Sequence, residues 1–530
     1  MGKETTSKRS PLAEHHTAGD ATEALSRLTR RTFIGAGLGS VALAVAGCDD
    51  DPTSTTSDAA LDQEDRFEIA DQTAEIDTTY DAELDAAEEF ELLDDLSELD
   101  LAQDEVELDV RSYDFDPLLW NESVSMFPHG VQSGAMRPDS VLLWCFISDK
   151  AEKVVRVWLE EGSTGLGSIV DERPAVPDAD GYCKVAVDGL EAGTWYRYGF
   201  FDDAANYRST LGKVRTALAP DALETLTIGA LVCTDWDKAP YKALTMTAAQ
   251  DLDLIVHLGD MSYNDGAKGR ADYRAKWFET LDIKGYRDLL PQAGMLITWD
   301  DHEIENNYDP ETLDAAQLEA GKAAFFEALP VEEGPNSRLW TSYRWGMTAE
   351  IFLLDCRSER RPSTRNDADA TYISAEQMAW LKEGLEDSPC HFKLILNSVP
   401  ITNMPLLYDL VQADRWEGYD AQRTELLSFL ETAAIPNVWF LSGDFHIGLV
   451  MRVEPTGYHH DTYEIAVGPS GNGPNPIAFL PHPPEQFDFV GDSAEFMTIL
   501  IFDPVANTVR VRFVDAVDDS VALDQEFPKP

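Results

Sequence analysis

The chain has 530 residues, 44% of them hydrophobic, enough for a large core and two folded domains. Its net charge of -56 sets an acidic surface against any phosphate backbone, so nucleic acid is not an expected partner. The six cysteines form no CxxC pair, which removes support for a zinc ribbon.

Residues 1–48 carry a net charge of +2. Arg30-Arg31-Thr32-Phe33-Ile34 precedes the small and apolar run Gly35 to Gly47, too short to span a bilayer. A paired arginine before a short apolar core reads as a twin-arginine export signal. The ending Val45-Ala46-Gly47-Cys48 resembles a lipobox, in which the cysteine is lipidated and becomes the new N-terminus. The expected partners here are the twin-arginine export machinery and a membrane reached through a lipid anchor at Cys48. The expected location is the outer face of the cytoplasmic membrane. From Asp49 to Asp116 there are 27 acidic side chains against Arg66 and Arg111. Such a segment buries too little apolar area to offset chain entropy, so 49–116 reads as a disordered acidic stalk.

Short β-like runs with turn residues between them follow: Ser140 to Ile147, Val154 to Leu159, Tyr182 to Val187 and Thr194 to Phe201. This spacing suggests a small all-β sandwich of the fibronectin or immunoglobulin kind over 123–218. Cys145 and Cys183 either bridge within it or remain two buried thiols.

From 221 to 530, apolar runs alternate with amphipathic helices, the pattern of an α/β domain. Leu226 to Val232 ends at Cys233, and Leu254 to Leu258 at Gly259-Asp260. Met295 to Trp299 ends at Asp300-Asp301-His302, and Ile351 to Leu354 at Asp355. Phe392 to Leu396 ends at Asn397, and Val438 to Leu441 at Ser442-Gly443-Asp444-Phe445-His446. An Asp after an apolar run is usually a cap or turn residue. Six such ends in a row can supply thiolate, carboxylate, amide and imidazole donors to a cluster of cations, gathered at one edge of the sheet. Phe496 to Phe502 and Thr508 to Val514 read as closing strands of a second sheet, giving an αββα sandwich.

Gly259-Asp260-Met261-Ser262-Tyr263, Trp299-Asp300-Asp301-His302-Glu303, Cys233, Asp355-Cys356-Arg357, Asn397 and Gly443-Asp444-Phe445-His446 together resemble the blocks of PhoD-like alkaline phosphatases and phosphodiesterases. These belong to the calcineurin-like metallophosphoesterases. The resemblance covers roughly residues 125–470 and implies hydrolysis of phosphate mono- or diesters by a metal-activated hydroxide. It implies a first metal on Cys233, Asp260, Tyr263 and His446, a set that suits Fe3+. A second, nearly all-oxygen set, Asp260, Asp301, Asn397 and Asp444, suits Ca2+, with Mn2+, Mg2+ or Zn2+ as alternatives. Asp235 is an alternative ligand near Cys233.

His302 is the candidate proton donor to the leaving group, with Glu303 orienting it. Arg357 is either a clamp on phosphate or a salt-bridge partner. His257 reads as structural, while His459 and His460 lie before a further strand. The glycine-rich loop 468–473 reads as a flexible wall of the pocket. A monomer is expected. The competing readings are a phospholipase D-like phosphodiesterase and a surface-anchored binding protein with an inactive metal site.

Overall fold

The computed structural model describes residues 115–162, 165–404, 414–479 and 483–528. The export signal, Cys48 and the stalk as far as 114 lie outside these residues.

Two large sheets face each other. The first has nine strands, in the order Val521–Pro528, Thr508–Asp515, Phe496–Asp503, Leu226–Leu231, Leu254–His257, Gly294–Ile297, Val131–Arg137, Ser140–Phe146 and Tyr182–Asp188. The second has seven, in the order Thr341–Trp345, Ala349–Leu353, Phe392–Asn397, Val438–Ser442, Tyr463–Ala466, Leu449–Arg452 and Phe487–Val490. The central strands of both sheets are parallel.

Alternation along each strand sends one set of side chains into the space between the sheets. Ile228, Ala230, Val232 and Val256 meet Leu353, Leu394, Leu396 and Leu441 there, all buried. The opposite set faces helices. Leu231, Ile255 and Ile297 pack with Trp277 and Phe325 of helices Arg270–Asp282 and Ala315–Ala328. Phe352, Ile395 and Phe440 pack with Leu381 and Leu427 of helices Ala375–Asp387 and Asp420–Thr432. Caps fix where two of these helices begin. Asp314 accepts from the N–H of Ala316 and Gln317, and Ser374 from that of Gln377. The result is the αββα sandwich.

Two sequence expectations change. Phe496–Asp503 and Thr508–Asp515 close the first sheet, not the second, because Phe496–Asp503 lies antiparallel to Leu226–Leu231 in the register Leu226↔Phe502. The second sheet is closed by Leu449–Arg452 and Phe487–Val490.

The N-terminal sandwich also shares a sheet with the rest. Its six-stranded sheet is separate, but Val131–Arg137 lies beside Gly294–Ile297 and carries Ser140–Phe146 and Tyr182–Asp188 into the first large sheet. Gly134 makes the junction possible. A Cβ there would sit 2.4 Å from the Pro330 carbonyl oxygen and 2.9 Å from that of Met295. Cys145 and Cys183 face each other across two antiparallel strands as buried free thiols.

Candidate metal centre

The carboxyl ends of the parallel strands of both sheets converge. Thr298 Oγ1, after a strand of the first sheet, donates to the Leu354 carbonyl, after a strand of the second, at 2.5 Å. Gly443, after a second-sheet strand, packs directly on the first sheet. A Cβ there would lie 2.4 Å from Val232 and about as near as van der Waals contact forbids to the Ser398 and Leu258 carbonyls, at 3.0 and 3.1 Å.

Cys233, Asp260, Asp444 and His446 all have left-handed backbone, with φ of 52°, 55°, 61° and 54°. Each such residue costs about 1–3 kcal/mol, a cost that persists only where surrounding contacts fix the geometry. Some of those contacts are visible. The Cys233 N–H donates to the Gly259 carbonyl and that of Thr234 to the Asp260 carbonyl. The Glu303 carboxylate accepts from three backbone N–H groups, Met261 at 2.6 Å, Asp300 at 2.9 Å and Asp260 at 3.1 Å. Glu303 therefore holds the two ligand loops in place and does not orient His302, as the sequence had suggested.

Three triads of donor atoms each lie within 4.8 Å: Cys233, Asp260 and His446; Asp260, Asp301 and His302; Asp300, Asp301 and Asp444. Asp260 and Asp301 link them into one chain. Cys233 Sγ and the Tyr263 hydroxyl each lie 3.4 Å from Asp260 Oδ2. Asp260 Oδ1 is buried without a hydrogen-bond partner. Burial, then nearby anions including Asp260, push the Cys233 thiol and the Tyr263 phenol well above their ordinary pKa. Burial also raises Asp260, against His302 and with Asp301 and Asp300 adding to the rise. These groups cannot all ionise together without added positive charge. A bound cation removes that penalty, and thiolate, phenolate, imidazole and carboxylate are donors a metal accepts. The residues fit a metal centre.

His302 Nδ1 lies 2.7 Å from Asp265 Oδ2, and its ring packs on that of Tyr263 with centroids 4.0 Å apart and planes tilted by 31°. Burial alone would lower its pKa, but Asp301, Asp260 and Asp265 outweigh it and push it up to about 11. Asp301 is subject to the reverse balance. Burial raises it, while Arg357, His302 and the Asn307 N–H outweigh burial and hold the carboxyl below the usual range.

Other expected residues are engaged elsewhere. Arg357 has 0% side-chain exposure. It grips Asp300 through Nε at 2.5 Å and Nη2 at 2.8 Å, and reaches Asp444 at 3.0 Å. It sits as a buried counter-ion behind the carboxylates, a position that does not suit a clamp reaching out to phosphate. The Asn397 carbonyl oxygen accepts from Trp416 Nε1 and from the Cys356 thiol, both at 3.0 Å. That leaves it less available to a metal than the second ligand set requires. Asp235 caps the short turn Trp236–Lys238 through its side chain, and its charge acts on His446. His257 is buried against the Tyr286 hydroxyl at 3.0 Å, a structural place. His459 bonds to the Leu427 carbonyl and to Thr462, beside a helix and not at the site.

Sequence reasoning missed three residues. Asp300 belongs to a donor triad, although only its neighbour Asp301 had a role. Asp265 orients His302, and its only signal was its place five residues after Asp260. Asn472 donates to the Tyr263 hydroxyl at 2.7 Å and lies 3.4 Å from His446 Nε2. Its loop is pinned, since the Ser470 N–H donates to the Val232 carbonyl and the Asp235 N–H to that of Gly471, at 2.8 and 2.7 Å. The flexible wall expected there is a tied one.

Residues 228–476 match the PhoD-like phosphatase family, and residues 119–218 match the N-terminal domain of PhoD-like phosphatases. The chain belongs to the PhoD-like phosphatase family. A relative of this family, alkaline phosphatase D of Bacillus subtilis (strain 168), is 27% identical over 388 residues, or 62% of this chain. The chain spans 65% of that relative's length. The PhoD-like fold extends to solved structures. One described as PhoD aligns with a TM-score of 0.67 at 21% identity, over 77% of this chain and 91% of its own. The purple acid phosphatase PPD1 from yellow lupin (Lupinus luteus) seeds aligns with a TM-score of 0.54 at 13% identity, over 75% and 73%. At these identities the likeness concerns the fold.

Proposed function

We propose that the chain is a metal-dependent hydrolase of phosphate mono- or diesters, an alkaline phosphatase or phosphodiesterase. The convergence of Cys233, Asp260 and His446 within 4.8 Å, with His446 213 residues after Cys233 and 186 after Asp260, carries this reading. Cys233, Asp260, Tyr263 and His446 would hold an ion such as Fe3+. Asp260, Asp301 and Asp444, with Asp300 close by, would hold a harder ion such as Ca2+. Bound metals supply Lewis acidity toward phosphate oxygens and toward the attacking water.

The protein's own groups prepare the rest. Asp265 fixes the His302 ring through Nδ1, which leaves Nε2 free to hold a proton for the leaving oxygen. The Asp265 carboxylate beside it favours the protonated ring. Arg357, charged and buried, keeps Asp300 and Asp444 from repelling each other apart when the loops are formed. Glu303 keeps the Asp260 loop in its left-handed turn.

The same reading places the enzyme outside the cytoplasm as a monomer, carried by the export signal before Cys48 and anchored by lipid at that residue. The test uses the purified soluble protein, assayed with chromogenic phosphate mono- and diesters before and after chelation. Hydrolysis that chelator abolishes and metal restores is expected. Absence of hydrolysis with any of iron, calcium, manganese, magnesium or zinc would overturn the proposal.

A further inference from the structure

A cleft of about 490 Å³ opens where the six-stranded N-terminal sheet meets the first large sheet. That volume suits a small ligand, since such sites commonly run to about 300–1,000 Å³. Its wall includes Glu160, Trp195, Arg197, Lys213, Asp251 and Asp253. It is remote from the metal centre. Thr227, also on its wall, lies six residues before Cys233 along one strand, a rise of about 20 Å.

The charges on this wall are unevenly satisfied. Both Glu160 oxygens are taken, by Arg197 Nε at 2.7 Å and by the Gly165 N–H at 2.8 Å. Both Asp253 oxygens are taken, by Arg215 Nη1 at 2.6 Å and by the Thr227 N–H at 2.8 Å. Lys213 has no carboxylate within 4.0 Å among the described residues, and the Arg197 Nη atoms have no partner there. Arg197 and Lys213 are also directly opposite each other on paired antiparallel strands. Like charges in that position repel. The wall also carries Glu160, Asp251 and Asp253, but of the two cations only Arg197 is paired, through Nε to Glu160. Burial, then Arg197, push the Lys213 pKa down, outweighing Asp251 and Glu160, which raise it. An anion between the two would relieve the repulsion. Beside them the Trp195 indole is 38% exposed, with Lys213 Nζ 5.1 Å from its ring centre. Asp251, exposed at the mouth, is the one wall carboxylate with no hydrogen-bond or ion-pair partner among the described residues.

We propose that this cleft is a second ligand site, separate from the metal centre, which takes a sugar acid: a pyranose ring bearing one carboxylate or phosphate. The anionic group sits between Lys213 Nζ and the Arg197 Nη atoms. The ring lies against the indole of Trp195, and ring hydroxyls donate to Asp251.

Calorimetric titration of the full, metal-loaded protein with D-galacturonate tests this, because that probe has no phosphorus to hydrolyse. Binding with a dissociation constant on the order of 1 mM is expected. D-galactose and potassium sulfate, each lacking half of the recognised chemistry, should bind at least about tenfold more weakly. Lys213→Gln, whose ammonium has no hydrogen-bond or ion-pair partner among the described residues and touches only the Trp195 ring, should weaken galacturonate about tenfold and leave hydrolysis of a small chromogenic ester unchanged. Trp195→Ala should weaken it as well. Tighter binding of trigalacturonate than of the monomer would identify the occupant as the end of an anionic glycan, and equal binding a free sugar acid. No binding at 50-fold the expected constant, equal binding by Lys213→Gln and parent, or sulfate binding as tightly as galacturonate would each overturn the proposal.

Discussion

In the first sheet Asp260 leaves Oδ1 without a hydrogen-bond partner, whereas in the second sheet Asp355, at the matching place after its strand, has both oxygens engaged. Asp355 Oδ1 accepts from Trp299 Nε1 at 2.8 Å and from the Ser358 N–H at 2.8 Å, and Oδ2 accepts from the Ser358 hydroxyl. Both are carboxylates following buried parallel strands at one edge of the sandwich. What separates them is the occupancy of their lone pairs. A carboxylate spent on indole, amide and hydroxyl donors builds a loop, and one left bare in a buried, acid-rich place calls for a cation. Asn397 belongs with Asp355 by this measure, since its oxygen serves Trp416 and Cys356.

Several substitutions break or sharpen this contrast. Asp260→Ala should lose bound metal and lower kcat/KM by about a thousandfold or more, since a metal contributes several kcal/mol to such a transition state. Metal analysis alongside the assay checks it. Asp265→Asn keeps the ligands and weakens the anchoring of His302. It should lower kcat by about 10–100-fold with metal content intact, and Asn472→Ala should act in the same direction through Tyr263 and His446, with a smaller loss. Asp355→Ala is the counterpart in the second sheet. It should cost about 1–3 kcal/mol in urea unfolding by orphaning buried donors, while the metal stays bound.

The smallest effect concerns acid. Burial pushes His257 down to about 3 in the folded state, against about 6.5 when unfolded. Between those values the unfolded chain binds the extra proton, so stability rises with pH across this window and is lost as pH falls through it. His257→Gln should flatten the slope of unfolding free energy against pH by about one proton in that window.

Much of this was legible from residue order. Buried parallel strands announce themselves as apolar runs, and the residues after each run fall at the same edge; the choice of Cys233, Asp260, Asp301, Asp444 and His446 among them rests on the resemblance to the PhoD-like blocks. The sheet joined by Phe496–Asp503 was not legible, because antiparallel pairing with Leu226–Leu231 is a long-range choice that local pattern does not encode. The pairing of Arg357 with Asp300 joins residues 57 positions apart, so the sequence left open whether Arg357 is a phosphate clamp or a salt-bridge partner. Asp265 was hidden for a similar reason. Its partner His302 is set by the path of two loops, not by spacing.

X-ray absorption at the edge of the bound transition metal tests the central claim most directly. Metal held by Cys233 gives a sulfur scatterer at about 2.3 Å, which vanishes in Cys233→Ser. A spectrum from the parent protein that needs only nitrogen and oxygen scatterers would contradict the account.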